Sequence, residues 1–361
     1  MARNHAGEQK GSLGKKRVEM KMEDRISELP NDVLLYILSF LPMYQVVRTS
    51  ILSRSWRHLW TQVPVLDFGT HEPHFTQLGI ESVVNCCLML YNAPKIKQFR
   101  ARIDHTCILH HNLDAWLRFA LQHNVEELDM DYITGNRRDN EHNLILYVMP
   151  RCLFHCGTLR ALRLRGCELK LPASFCLGSL RTLELYQDMD LKEPILGNSP
   201  LGTTCLELNT SLNRWEIRGM TQLLIRSHYL ETLIVDIQKM IGYVTRNMVE
   251  SEGWEMLELA MSSLLHLKTV RIYNLFRITT IVSFSGESRT LINQILMICE
   301  KEIKLLKAVL KSCKMLDRMF ISAINTQDPT KWMLISELLL ILTEELQSFP
   351  RVSANAEIYL S

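Results

Sequence analysis

The 361-residue chain lacks the signatures by which a sequence usually declares catalytic chemistry. It contains no glycine-rich phosphate loop, no G-x-S-x-G, no H-E-x-x-H and no C-x-x-C. No phosphate cradle, elbow-mounted nucleophile or zinc-protease helix is therefore expected. Its richest late apolar stretch, Trp332 to Leu342, is short and broken by Glu337, which argues against a membrane span. The first twenty residues carry no apolar run, so they do not read as a secretory leader. A net charge of +2 is too small to make nucleic acid the main partner. Ten scattered cysteines without a leader fit reduced thiols in the cytoplasm or nucleus.

What is present is ordinary globular material, 47% hydrophobic and 22% charged, long enough for two or three domains. The charge is uneven. Residues 1–21 carry Arg3, Lys10, Lys15, Lys16, Arg17 and Lys21 against Glu8 and Glu19, and are expected to form a disordered basic tail. Three consecutive basic residues, Lys15 to Arg17, read as a solvated tail more readily than as an import signal.

From Met22 to Phe68 the pattern sharpens. After Leu29-Pro30-Asn31-Asp32, the residues Val33, Leu34, Ile37, Leu38 and Leu41 fall on one wide helical face. Pro30 suits a first turn, Asp32 complements the dipole, and Pro42 stops the helix. A second short run, Met43 to Leu52, gathers Val46, Val47, Ser50 and Ile51. Ser53 is placed to cap a third helix, Arg54 to Trp60. Three small helices in about forty residues bury their own apolar surface poorly, so a partner surface is expected.

The run DRISELPNDVLLYILSFLPMYQVVRTSILSRSWRHLWTQVPVLDF resembles the F-box of plant proteins. The family pattern of Leu-Pro, Ile-Leu, Leu-Pro, Val-Val, Ser, Leu-Ser and two Trp four apart is met at 29–30, 37–38, 41–42, 46–47, 50, 52–53 and 56/60. Gln45 stands where an acidic residue is usual, and Ser55 interrupts a basic pair.

Beyond the F-box a Leu-x-x-Leu-x-Leu core recurs. It is read at Ile96/Phe99/Ala101, Val125/Leu128/Met130, Leu159/Leu162/Leu164, Leu180/Leu183/Leu185, Leu212/Trp215/Ile217, Leu230/Leu233/Val235, Leu267/Val270/Ile272 and Leu316/Met319/Ile321. Trp254/Leu257/Leu259 is a ninth candidate. Each is expected to be a short strand. Uneven spacing makes this a degenerate leucine-rich-repeat array, an α/β solenoid with parallel strands and a helical or irregular convex side. Between the buried leucines, Asp129, Asp131, Arg163, Arg165, Glu184, Tyr186, Glu216, Arg218, Asp236, Glu258, Arg271 and Tyr273 are expected on the concave strand face. Their signs vary from repeat to repeat, which suits a protein or small-ligand partner better than a phosphate backbone. Simple solvation of the sheet is the bland reading of each charge.

Lys301 to Lys314 reads as an amphipathic helix with Ile303, Leu305, Leu306, Val309, Leu310 and Cys313 inward. Together with the ending Phe349 to Ile358, it resembles the carboxy-terminal FBD module of plant F-box proteins. The expected organisation is a tail at 1–21, the F-box at 22–68, repeats at 69–300 and an FBD-like region at 301–361. Arg277 to Glu300 looks inserted, either as a genuine element or as untranslated sequence retained in a gene model. A native peptide bridging Phe276 directly to Lys301 would rule out the former.

His105, Cys107, His110 and His111, and the set Cys152, His155 and Cys156, lack zinc-site regularity, so no metal is expected. Cys167 and Cys176 read as small residues of the repeats rather than nucleophiles. No cofactor is expected. The resemblance implies a non-catalytic receptor of a Skp–cullin–F-box ubiquitin ligase, joined to cullin and RING subunits through a Skp-type adaptor. Carried over by position, the adaptor-docking residues are Leu29, Pro30, Leu34, Ile37, Leu38, Leu41, Val46, Val47, Ser50, Leu52, Trp56 and Trp60, with Leu41 and Trp60 the expected core members. A repeat scaffold that never assembles an active ligase, and a decayed member that folds poorly, stay open beside it.

Overall fold

The computed structural model describes residues 28–69, 77–104, 110–133, 147–168, 176–186, 200–237, 253–276, 299–323 and 329–360, with 26, 172, 295 and 296 besides. The tail at 1–21, His105 and Cys107, and most of the candidate insertion (277–294) lie outside the described residues.

Two short helices open the fold, α1 (Asn31–Leu38) and α2 (Met43–Arg48), followed by 3-10 turns at Thr49–Ile51 and Leu59–Gln62. The expected third helix over 54–60 is absent. Residues 54–58 are turns, and Ser53 Oγ bonds Ser55 Oγ at 2.7 Å instead of capping a helix.

The chain then lays down β1 (Val65–Phe68), α3 (Gln77–Leu90), β2 (Gln98–Asp104), α4 (His110–Gln122) and β3 (Glu127–Ile133). Next come β4 (Tyr147–Val148), β5 (Ala161–Arg165), β6 (Cys167–Glu168), β7 (Thr182–Tyr186) and β8 (Cys205–Thr210). The remainder is α5 (Arg214–Arg226), β9 (Thr232–Ile237), α6 (Trp254–Ser262), β10 (Thr269–Tyr273), α7 (Glu300–Ser312), β11 (Arg318–Ile321), α8 (Pro329–Ser348) and β12 (Glu357–Leu360). Strands β4 and β6 pair separately; the other ten form one sheet, all parallel and in chain order. Parallel neighbours require crossovers; α3 to α8 supply six of the nine, and β3 to β5 runs through a 3-10 turn at Arg151–His155. This is a leucine-rich-repeat type of solenoid.

Register shows why the sequence repeats. Leu66, Phe99, Leu128, Leu162, Leu183, Leu206, Leu233, Val270, Met319 and Ile358 align across the ten strands. Two residues on, Phe68 to Leu360 form a second inward row. Three residues before the first row stand Val63, Ile96, Val125, Leu159, Leu180, Thr203, Leu230, Leu267 and Leu316, all fully or almost fully buried. Most repeats therefore contribute one rung to each of three buried columns and contact chiefly their neighbours. Ile358 and Leu360 are only half-buried, because no strand lies beyond β12 among the described residues.

Seven of the nine expected strands are present. The exceptions are instructive. Leu212/Trp215/Ile217 falls on the start of α5 and Trp254/Leu257/Leu259 on α6. In α5 the Asn213 side chain accepts from the Glu216 amide, and Glu216 reaches back to the Asn213 amide, a full capping box. The strand of that repeat is β8, whose column residue is Thr203; its buried hydroxyl donates to Ser227 Oγ at 3.0 Å. Strands β1 and β12 extend the array at both ends, so the region after 301 continues the same sheet.

The amphipathic helix is α7, and all six residues expected inward are buried. Lys311 Nζ bridges to Glu258 on α6 at 2.6 Å and Lys307 Nζ to Glu345 on α8 at 2.5 Å, tying successive helices. Among the described residues, no helix is long and apolar enough to cross a membrane.

Candidate docking face and strand face

The N-terminal unit has a small interior of Leu34, Leu38, Met43, Val46, Trp56 and Leu59. Helix α1 is apolar nearly all round. Leu34 and Leu38, one turn apart, face in; Val33, Tyr36 and Ile37, followed by Phe40 beyond the helix end, are exposed. Phe40 is 69% exposed, and Tyr36 meets it edge to face with centroids 4.9 Å apart. Leu29, Ile51 (83% exposed) and Leu52 add to the outward apolar surface. A hollow of about 340 Å³ lined by Tyr44, Gln45, Arg48, Thr49, Ile51 and Leu52 adjoins it. Large apolar side chains concentrated outward on so small a unit mark an interaction surface.

The twelve carried-over positions divide. Leu29, Pro30, Ile37 and Leu52 are exposed; Leu41, Val47, Ser50 and Trp60 are half-buried; Leu34, Leu38, Val46 and Trp56 are buried. The fully buried members are the last four, while Leu41 and Trp60 are half-buried and pack against that core from its margin. Because α1 ends at Leu38, Leu41 no longer follows its inward period, and the turns at 54–58 bring Trp56 deeper than Trp60. Val33 and Ile37 share the expected wide face with Leu34 and Leu38 but lie outward, and Tyr36, Phe40 and Ile51 are exposed surface members outside the carried-over set. The signal was available, since a helix this uniformly apolar cannot bury every side within a unit of this size.

The outward row of the sheet, between the two buried rows, reads Asp67, Arg100, Asp129, Arg163, Glu184, Glu207, Ile234, Arg271, Phe320 and Tyr359 in register. Its first five members form a ladder. Arg100 lies 3.2 Å from Asp67 and 2.9 Å from Asp129, and Arg163 2.8 Å from Glu184 and 3.6 Å from Glu127. A parallel rung joins Arg102 and Arg165 to Asp131 at 3.2 and 3.3 Å. Burial works to lower the Arg100 pKa, but the hydrogen bond to Asp129 and the charges of Asp67 and Asp129 outweigh it, leaving it raised. Arg163 behaves likewise beside Glu184. The ladder rims a hollow of about 330 Å³.

The other candidates of the strand face lie elsewhere. Glu216 and Arg218 sit on α5, not on the sheet, and the Glu216 carboxylate already accepts from Thr210, Ser211 and Asn213. Glu258 is on α6. Asp236 accepts from Asn274 Nδ2 at 2.6 Å and Asn209 Nδ2 at 3.4 Å. Tyr186 ends β7, and its side chain lies outside the described residues. Arg271 lies over the Phe320 ring, 5.0 Å from its centroid, and Tyr273 is exposed.

Among the described residues, no three His, Cys, Asp or Glu side chains gather as metal ligands. Burial pushes the Cys167 thiol up to about 12, which leaves essentially no thiolate near neutral pH.

The F-box domain family matches residues 26–68. The chain carries an F-box. It is similar to an F-box/FBD/LRR-repeat protein of Arabidopsis thaliana, 36% identical over 164 residues, covering 45% of this chain and 37% of that protein. An FBD-associated F-box protein of the same plant is 32% identical over 183 residues, 49% of this chain and 42% of the relative. An Arabidopsis F-box/LRR-repeat protein is 35% identical over 174 residues, 47% and 53% of the two lengths. The chain thus spans about half or less of the relatives it matches. Beyond the F-box match at 26–68, the chain is thus similar over about half its length to plant F-box proteins, some named for leucine-rich repeats and some for an FBD region.

Proposed function

We propose that this chain is the substrate-recognition subunit of a Skp–cullin–F-box ubiquitin ligase. The observation that carries the reading is the outward apolar face of the F-box around Leu29, Val33, Tyr36, Ile37, Phe40, Ile51 and Leu52. It is the kind of surface that a Skp-type adaptor would cover. The repeats would hold a protein substrate on the strand face, and cullin and RING subunits would join through the adaptor. The chain then does no chemistry itself. It raises the effective concentration of substrate lysines near a charged ubiquitin thioester carried by another enzyme. In this reading residues 22–68 dock, 69–300 recognise, and 301–361 complete the recognition sheet.

Co-expression with a plant Skp-type adaptor tests the docking step. Wild type should co-purify with the adaptor, and Leu29→Ala/Pro30→Ala should lose it, since truncating central interface residues costs about 2 kcal/mol or more. Reconstitution with cullin, RING and conjugating enzyme tests the rest. An adaptor complex that never supports ubiquitin transfer would instead indicate a scaffold.

A further inference from the structure

The outward row changes character between β8 and β9. In β2 and β5 the guanidiniums of Arg100, Arg102, Arg163 and Arg165 are all paired with carboxylates. In β10 and β11 they are not: among the described residues, neither Arg271 nor Arg318 has a carboxylate within 4.0 Å. The carboxylates nearest in register have other donors. Asp236, beside Tyr273, is held by Asn209 and Asn274; Glu357, opposite Arg318, accepts the Tyr359 hydroxyl at 2.5 Å.

The same region carries the aromatic surface of the sheet. The Phe320 and Tyr359 rings stack at 4.8 Å with 12° between planes, and Arg271 lies against Phe320. A guanidinium held on a ring face keeps its N–H edge available for a carboxylate fork, and its orientation is set before any ligand arrives. Tyr359 is 45% exposed, so the stack presents apolar area to solvent at low conformational cost to a binder.

We propose that Ile234, Arg271, Tyr273, Arg318, Phe320 and Tyr359 form a platform for an extended acidic segment of a partner protein. A carboxylate would sit on Arg271, and a neighbouring large apolar side chain on the Phe320–Tyr359 stack. The charged ladder of β1–β7 is then an internally neutralised spine, not the reading surface. This rests on the receptor reading above and narrows its substrate class.

The test uses the full chain purified with its Skp-type adaptor. It is passed over three immobilised short-peptide libraries, each with a central Phe or Leu flanked by acidic, neutral or basic residues. The platform predicts saturable retention on the acidic library. Arg271→Glu and Tyr359→Ala should each weaken it by about tenfold or more, while Arg163→Gln leaves it unchanged; a thermal melt confirms that each variant folds. Retention that prefers the neutral or basic library, or that survives both platform variants, or that Arg163→Gln abolishes, overturns the platform and leaves the receptor reading standing. Retention on none of the libraries by a cooperatively melting wild type overturns both the platform and the strand face as a peptide receptor.

Discussion

The F-box unit and the repeat region hold similar proportions of leucine and isoleucine but dispose of them differently. In the sheet, alternation sends every second side chain into two shared columns, a third stands three residues before them, and the outward row of β1 to β8 is charged. In the F-box, α1 buries Leu34 and Leu38 and leaves Val33, Tyr36 and Ile37 outside. The difference is one of supply. A repeat finds a neighbour's apolar face on each side, whereas two short helices and two 3-10 turns have chiefly β1 and each other. The sheet buries most of its apolar rows within the chain; on the receptor reading proposed above, the F-box finishes its burial against a second protein.

That contrast can be broken most forcefully inside the sheet. Leu206→Ala removes a fully buried side chain from the middle of a column and should cost about 2–5 kcal/mol, read as a lower urea midpoint, with adaptor binding by the folded fraction unchanged. Gly166→Ala should come next. Gly166 turns the chain between β5 and β6 with φ at +63°, and a Cβ there would lie 2.0 Å from the Tyr132 carbonyl oxygen. A loss of more than about 1 kcal/mol is expected in the same melt. On the F-box, Ile37→Ala should do the opposite of Leu206→Ala, leaving the melt nearly unchanged while weakening adaptor affinity by about tenfold.

Smaller effects sharpen the comparison. Arg163→Gln opens the ladder and should cost at most about 1 kcal/mol, less at high salt, because half-exposed ion pairs are screened. At the edge preceding β3, the Lys95 ammonium donates to Glu126 at 2.5 Å and holds that carboxyl below its usual range. A carboxyl whose folded pKa is depressed contributes stability above its unfolded value and loses it as pH falls through the folded one. Wild type should therefore lose more stability than Lys95→Met on acidification from neutral pH to about pH 3.

Much of this fold was legible because its repeats are physical as well as textual. Strands β2, β3, β5, β7, β9, β10 and β11 follow from Leu-x-x-Leu-x-Leu, and α7 follows from its helical period. The misreadings share a cause. Leu212, Trp215 and Ile217 satisfy the strand template, yet Asn213-Arg214-Trp215-Glu216 spells a capping box that the template ignores. Thr203 hid β8, since a hydroxyl replaces the column leucine and becomes tolerable only through Ser227, far along the chain. With Thr203 in place, the steps from Leu180 become 23 and 27 residues, closer to a regular repeat than 32 and 18. On the candidate sites, residue types were visible but pairing was not. Nothing local in the sequence says that Arg163 is matched by Glu184 while Arg271 lies on Phe320, because both facts depend on register between strands about twenty to fifty residues apart.

The central claim is that the F-box face is incomplete without a partner and the strand face is not. Hydrogen exchange of the full chain, alone and with a plant Skp-type adaptor, tests it directly. The account predicts that the adaptor protects amides across residues 28–52 and leaves β2 to β9 unchanged. Protection centred on the sheet, or none on α1 and α2 in a complex that forms, would contradict it.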